Sequence, residues 1–112
     1  MLLVALVLAG WALSVADGRA RQRALDHEGA FLESRLSNAS CVDSYGTYAT
    51  TDRERASVVG RGLDGWTVRV AHPYWYGTDE VEADTRSEAV YVVAVGDGRT
   101  RLLRREALSL PC

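Results

Sequence analysis

The sequence predicts an α+β protein: a long N-terminal helix, apolar and then amphipathic, packed on a small antiparallel sheet of four to five strands. Three observations predict it. The first sixteen residues, MLLVALVLAGWALSVA, carry no charged side chain. Asp17 to Ser37 places Ala24, Leu25, Phe31, Leu32 and Leu36 at helical spacings on a charged background. From Cys41 onward the apolar period falls to that of a strand. The chain thus divides into an apolar membrane or signal segment (1–16), an amphipathic helix (17–37) and a small β-rich domain (38–112). Its 112 residues suffice for one small domain.

The apolar run admits three readings: a cleaved signal, a retained anchor and, overlapping with the anchor, the first half of one long helix that continues beyond Gly18 to Leu36. Sixteen helical residues span about 24 Å, short of a hydrocarbon core of about 30 Å. Ser14-Val15-Ala16 puts small residues where a signal peptidase reads, with a cut before Asp17. No basic residue precedes the run, although a signal peptide begins with one. A retained anchor is the second reading. An upstream start would give it both full length and the missing charge. Arg19, Arg21 and Arg23 follow the run and, taken alone, favour keeping that side cytoplasmic.

Along the chain, good helix formers carry the helix to Leu36, with Gly18 and Gly29 as its weak points. Tyr45 to Thr51 alternates aromatic and β-branched residues, Asp52 to Arg55 reads as a charged turn, and Ala56 to Arg61 as a short strand. Trp66, Val68 and Val70 alternate with Thr67, Arg69 and Ala71, a half-buried strand that Pro73 ends or turns into an edge. Thr78 to Asp84 is an acidic loop. Ala89 to Val95 is continuously apolar, as a central strand is. Gly96-Asp97-Gly98 is a hairpin turn into Arg99–Glu106, and Leu108 and Leu110 return to the core.

Two cysteines, Cys41 and Cys112, are too far apart in sequence for a zinc pattern. In an exported domain they pair, tying the last strand to the end of the helix. In a reducing compartment they stay thiols. Closing that loop contributes about 4 kcal/mol in the loop-entropy account. Asn38-Ala39-Ser40 matches an N-glycosylation sequon, at Asn38.

Composition and spacing exclude most chemistry. A net charge of −2 gives no general attraction to nucleic acid. All thirteen basic residues are arginine, which suits a GC-rich genome. His27 and His72 have no partner at metal-ligand spacing, and no nucleophile-elbow motif is present. Asp79, Glu80, Glu82 and Asp84 lack the glycine and terminal glutamate of a calcium loop. Gly60-Arg61-Gly62 and Gly96-Asp97-Gly98 lack the helix that follows a phosphate loop. No catalytic residue, cofactor, metal or small-molecule substrate is therefore expected. Arg99, Arg101, Arg104 and Arg105 read as a charged sheet edge split between two faces. Tyr74, Trp75 and Tyr76 are the candidate contact for a ligand or partner, with Trp75 foremost; as core cover they close the end of a small core.

The apolar run Leu2–Ala16, the amphipathic stretch Arg19–Leu36, the strands from Trp66 to Val95, and Cys41 with Cys112 together resemble type IV pilin-like proteins. That group includes pseudopilins and the small pilin-like membrane proteins of halophilic archaea. The likeness is one of architecture. The chain differs from them in carrying its first acid at Asp17, after the apolar run. The resemblance implies a non-enzymatic structural subunit in the cell membrane, single-pass, with its β-domain extracytoplasmic. Its partners are the lipid bilayer and other pilin-like subunits through lateral helix association. The rival expectation is a secreted binding module released after Ala16.

Overall fold

The computed structural model of the chain describes residues 15–48 and 53–112 with their surroundings, and residues 2–14 only as backbone of the first helix. The elements are α1 (Leu2–Ser37), β1 (Ser44–Gly46), β2 (Arg55–Gly62), β3 (Gly65–Gly77), β4 (Glu82–Val93) and β5 (Thr100–Arg105). The α+β expectation holds: α1 packs on one antiparallel sheet of five strands. The sheet runs β1-β3-β4-β5, with β2 beside β1 along the same flank of β3. Among the described residues no helix is long and apolar enough to cross a membrane. Apart from Val15 and Ala16, the side chains of the uncharged run lie outside the described residues.

The face of α1 toward the sheet is a four-residue repeat: Ala20, Ala24, Glu28, Leu32 and Leu36 are all buried. The sheet's inner face answers in two apolar clusters. Ala20 and Ala24 meet Trp66, Val68, Val70, Ala89, Tyr91 and Val93. Leu32 and Leu36 meet Tyr74 and Tyr76, with Leu108 and Leu110 of the C-terminal tail alongside. The helix stops where Asn38 turns back on it. The Asn38 backbone N–H and its side-chain Nδ2 both donate to the Ser34 carbonyl, at 3.2 and 2.8 Å.

Three strand expectations are corrected. β3 does not end at Pro73 but continues to Gly77. On one flank β4 pairs along its full length; on the other, β2 pairs as far as Ala71 and β1 begins at Trp75. Pro73 falls in the gap between them, where a strand tolerates a residue without an N–H. β4 starts at Glu82, inside the stretch read as an acidic loop, and stops at Val93 rather than Val95. Its first half alternates Glu82, Asp84, Arg86 and Glu88 outward with Ala83, Thr85 and Ser87 inward, a polar alternation that hides a strand. The strand expected over Tyr45–Thr51 is β1, which ends at Gly46; residues 49–52 lie outside the described residues.

Both β2 and β5 carry a bulge. In β2 the extra residue is Val59, between the pairs Val58↔Val68 and Gly60↔Thr67. In β5 it is Leu103, between Leu102↔Tyr91 and Arg104↔Val90. An inserted residue reverses the in–out alternation beyond it. Arg61 therefore lies opposite Trp66, and Arg105 opposite Ala89, both on the helix side of the sheet.

Cys41 and Cys112 form a disulfide, with Cα atoms 6.2 Å apart. It ties the chain's last residue to the segment just past α1, as the sequence led us to expect. Replacing both cysteines by serine removes about 4 kcal/mol of loop-closure stabilisation, enough to lower the melting temperature by roughly 15 °C in a domain this small. Thermal unfolding followed by circular dichroism, with and without reductant, checks it: the double variant should melt at the temperature of the reduced protein.

Candidate functional site

Between the two apolar clusters lies a polar layer. Glu28, His72 and Ser87 are the buried polar side chains of the described residues, at 0%, 5% and 2% exposure. Helical spacing brings Glu28 there, four residues from both Ala24 and Leu32. Its carboxylate accepts from Tyr91 Oη at 2.7 Å and from Arg105 Nη2 at 2.6 Å and Nε at 3.0 Å. Arg105 Nη2 also donates to Tyr91 Oη at 2.8 Å, which closes a three-membered ring of contacts. The guanidinium lies on the Phe31 ring, 3.3 Å from its centre.

The electrostatics follow from this ring. Burial pushes the Glu28 carboxyl up, but the donors around it, Arg105 first, outweigh burial and hold it below the ordinary carboxylate value. Burial and the Glu28 charge push the Tyr91 phenol well above its usual value. Glu28 and Arg105 thus stay charged and Tyr91 stays neutral. This is a structural ion pair rather than a poised acid or base. Ser87 Oγ, buried beside it, completes no hydrogen bond of good geometry.

His72 sits one step along β3. Its Nδ1 donates to the Pro73 carbonyl at 3.0 Å, and its Nε2 lies 3.5 Å from a Glu54 carboxylate oxygen. A Cβ at residue 29 would stand 3.1 Å from Nε2, so the helix-weakening Gly29 makes room for this ring. His27 lies edge-on to Tyr91, with ring centres 5.9 Å apart. The two histidines are therefore on different elements with different neighbours. Among the described residues no three His, Cys, Asp or Glu side chains are grouped to hold a metal ion.

The aromatic run does not form one shelf. Alternation along β3 turns Tyr74 and Tyr76 inward, where they are buried at 1% and 6% exposure. Tyr74 Oη receives the Ser109 backbone N–H at 3.2 Å, which pins the tail. Trp75 alone faces outward. It is half-buried, lies against Gly46, and stands edge-on to Tyr48 at 5.7 Å. Its Nε1 is buried and has no partner among the described residues. Ser44, Trp75, Gly77, Glu82 and Asp84 line a shallow groove beside it. Asn38 is exposed, with its amide engaged on Ser34.

The basic hairpin splits as expected, with one member reassigned. Arg101 and Arg104 lie on the outer face, opposite Val92 and Val90. Arg105 is not part of the solvated edge but the partner of Glu28. Glu28 is also the residue the sequence reading overlooked; its signal was a charge standing in line with the apolar four-residue repeat. No protein-family model matches the chain, and no curated protein or solved structure matches it either.

Two outcomes follow from the ring. Glu28→Gln leaves Arg105 without its counter-charge and costs about 3 kcal/mol, whereas the triple replacement Glu28→Leu, Tyr91→Phe, Arg105→Leu costs less than that single change; chemical denaturation measures both. A depressed carboxyl contributes stability that is fully present above its unfolded value, near pH 4, and is lost as pH falls through the folded one. Melting temperatures of the native chain should therefore drop more steeply below about pH 4 than those of the triple variant.

Proposed function

We propose that the chain is a non-enzymatic, membrane-anchored surface protein and, more finely, a pilin-like structural subunit. The observation that carries this reading is the Cys41–Cys112 disulfide in a chain headed by sixteen uncharged residues. A disulfide that uses every cysteine suits an oxidising compartment. The uncharged run suits delivery to a membrane and retention in it. In this reading the run is the apolar half of one long helix, crosses the cell membrane once, and associates laterally with neighbouring helices. The amphipathic half is taken up by the extracytoplasmic domain, whose described core draws on α1 from Ala16 to Leu36.

A second reading has its own support in Trp75, whose outward, half-buried ring lines a shallow groove. In that reading cleavage after Ala16 releases a secreted binding module. Membrane fractionation with intact-mass measurement separates the two. The anchored protein is expected in the membrane fraction with its N-terminal run intact. A soluble product beginning at Asp17 overturns the anchor and leaves the secreted module.

A further inference from the structure

Three segments meet at the end of the domain from which residues 1–14 continue: Val15–Arg23 of α1, the β2–β3 turn at Leu63-Asp64, and the β4–β5 turn over 94–99. Antiparallel pairing puts the two turns side by side, since β3 begins at Gly65 where β4 ends at Val93. α1 joins them through a groove of about 420 Å³ lined by Val15, Ala16, Arg19, Trp66, Val95 and Gly98 among others. The Arg23 guanidinium lies against Gly98.

The residues at this end are unusual for turn tips. Leu63, at 109% exposure, and Val95, at 66%, are the two most exposed large apolar side chains of the described residues. Polar residues ordinarily occupy such positions. The cations behind them divide into two groups. Arg21 and Arg61 share Asp17, at 3.0 and 3.1 Å, and Arg99 has Asp97 at 3.9 Å. Arg19 and Arg23 have no acidic partner among the described residues and stand exposed at the groove. The opposite end is acidic. There Asp79 lies close enough to Asp43 to raise its carboxyl by hydrogen bonding and repulsion, with Glu80 and Glu82 beside them.

Resting on the anchored reading, we infer that this end docks on the headgroup layer of an anionic phospholipid bilayer. Leu63 and Val95 enter the apolar boundary, and Arg19 and Arg23 take lipid phosphates. Apolar tips backed by unpaired arginines are the pattern that such an interface selects. Three features favour the membrane over another occupant: covalent continuity with the uncharged run, an excess of Arg19, Arg21, Arg23, Arg61 and Arg99 over Asp17, Asp64 and Asp97 at this end, and an acidic pole at the far end that the same bilayer repels. A guanidinium suits phosphate because its planar donors engage two oxygens at once.

The test places a nitroxide on Leu63→Cys, or on Glu80→Cys as reference, in the full chain with the native disulfide kept oxidised. Both positions are exposed, so neither label disturbs packing. The protein is reconstituted into vesicles of 3:1 phosphatidylcholine and phosphatidylglycerol, and accessibility to oxygen and to a water-soluble nickel chelate is read by power saturation. The oxygen-to-nickel ratio at Leu63 is expected to exceed that at Glu80 several-fold. It should fall in phosphatidylcholine alone and with Arg19→Gln plus Arg23→Gln. Equal ratios at both labels while the chain floats with the vesicles overturn the docking and leave the anchor standing. A chain that does not float overturns the anchor itself. A Leu63 label indifferent to lipid charge and to the arginine replacements overturns the phosphate contact. Spin–spin broadening that grows with protein-to-lipid ratio at Leu63, with no gain in oxygen contact, assigns the surface to a second copy of the chain instead.

Discussion

A single carboxylate on the buried face of α1 constrains most of what surrounds it. Glu28 has no exposed surface, and a buried charge without partners costs several kcal/mol. The sheet supplies partners from two strands. Tyr91 comes from β4, where an aromatic ring also fills the space opposite the alanines of the helix. Arg105 comes from β5, which lies at the edge and can bend. The resulting layer divides the core, with small residues and Trp66 on one side and leucines with tyrosines on the other. Neither cluster is large, and each is closed at its inner end by the polar ring.

The bulges make this arrangement possible. Without Leu103 as an extra residue, strict alternation would put Arg104 opposite Ala89 and turn Arg105 to solvent. β2 uses the same device: Val59 is the extra residue that brings Arg61 to the helix side, over the Trp66 ring at 4.7 Å and within 3.1 Å of Asp17. The two bulged strands, β2 and β5, are each bent so that one arginine reaches an acid on α1. The two ties differ in weight. The Asp17–Arg61 pair is exposed, and such pairs contribute about 0.5 kcal/mol. The Glu28–Arg105 pair is enclosed, and losing either partner strands a charge. The bulges also disturb the outer ladders of two edge strands, a geometry that resists pairing with another chain. On the outer face Val90 and Val92 have Arg69, Arg101 and Arg104 as register neighbours, whose stems can cover apolar surface.

Legibility in the sequence followed the range of the signal. The helical repeat, the alternation from Trp66 to Val70 and the Gly96-Asp97-Gly98 turn are local patterns, and each was readable. The disulfide was readable because two cysteines admit one pairing. The passage of β3 through Pro73 was not, because it depends on a gap between β1 and β2 that exists only in the assembled sheet. The start of β4 was hidden because its inward residues, Ala83, Thr85 and Ser87, are small or polar. The Glu28–Arg105 pair spans 77 residues and depends on a bulge that leaves no composition signal. Half of it was nonetheless visible. Glu28 interrupts a four-residue apolar repeat, and a charge in that place requires a partner from elsewhere in the chain.

That interruption has a further consequence for how the helix is held. Ala20 and Ala24 are alike, as are Leu32 and Leu36, so the apolar stripe alone would fit the sheet nearly as well after a slip of one turn. Glu28 removes the degeneracy, because a slip of about 5.4 Å along the axis would carry its carboxylate away from Arg105 and into an apolar cluster. Asp17 with Arg61 near one end and Cys41 with Cys112 beyond the other add two fixed points on either side of it. The Glu28 and Asp17 pairs join α1 directly to the sheet, and the disulfide joins the segment after α1 to the C-terminal tail. Whatever environment residues 1–14 occupy, the orientation of Val15 and Ala16 sets the orientation of the whole domain.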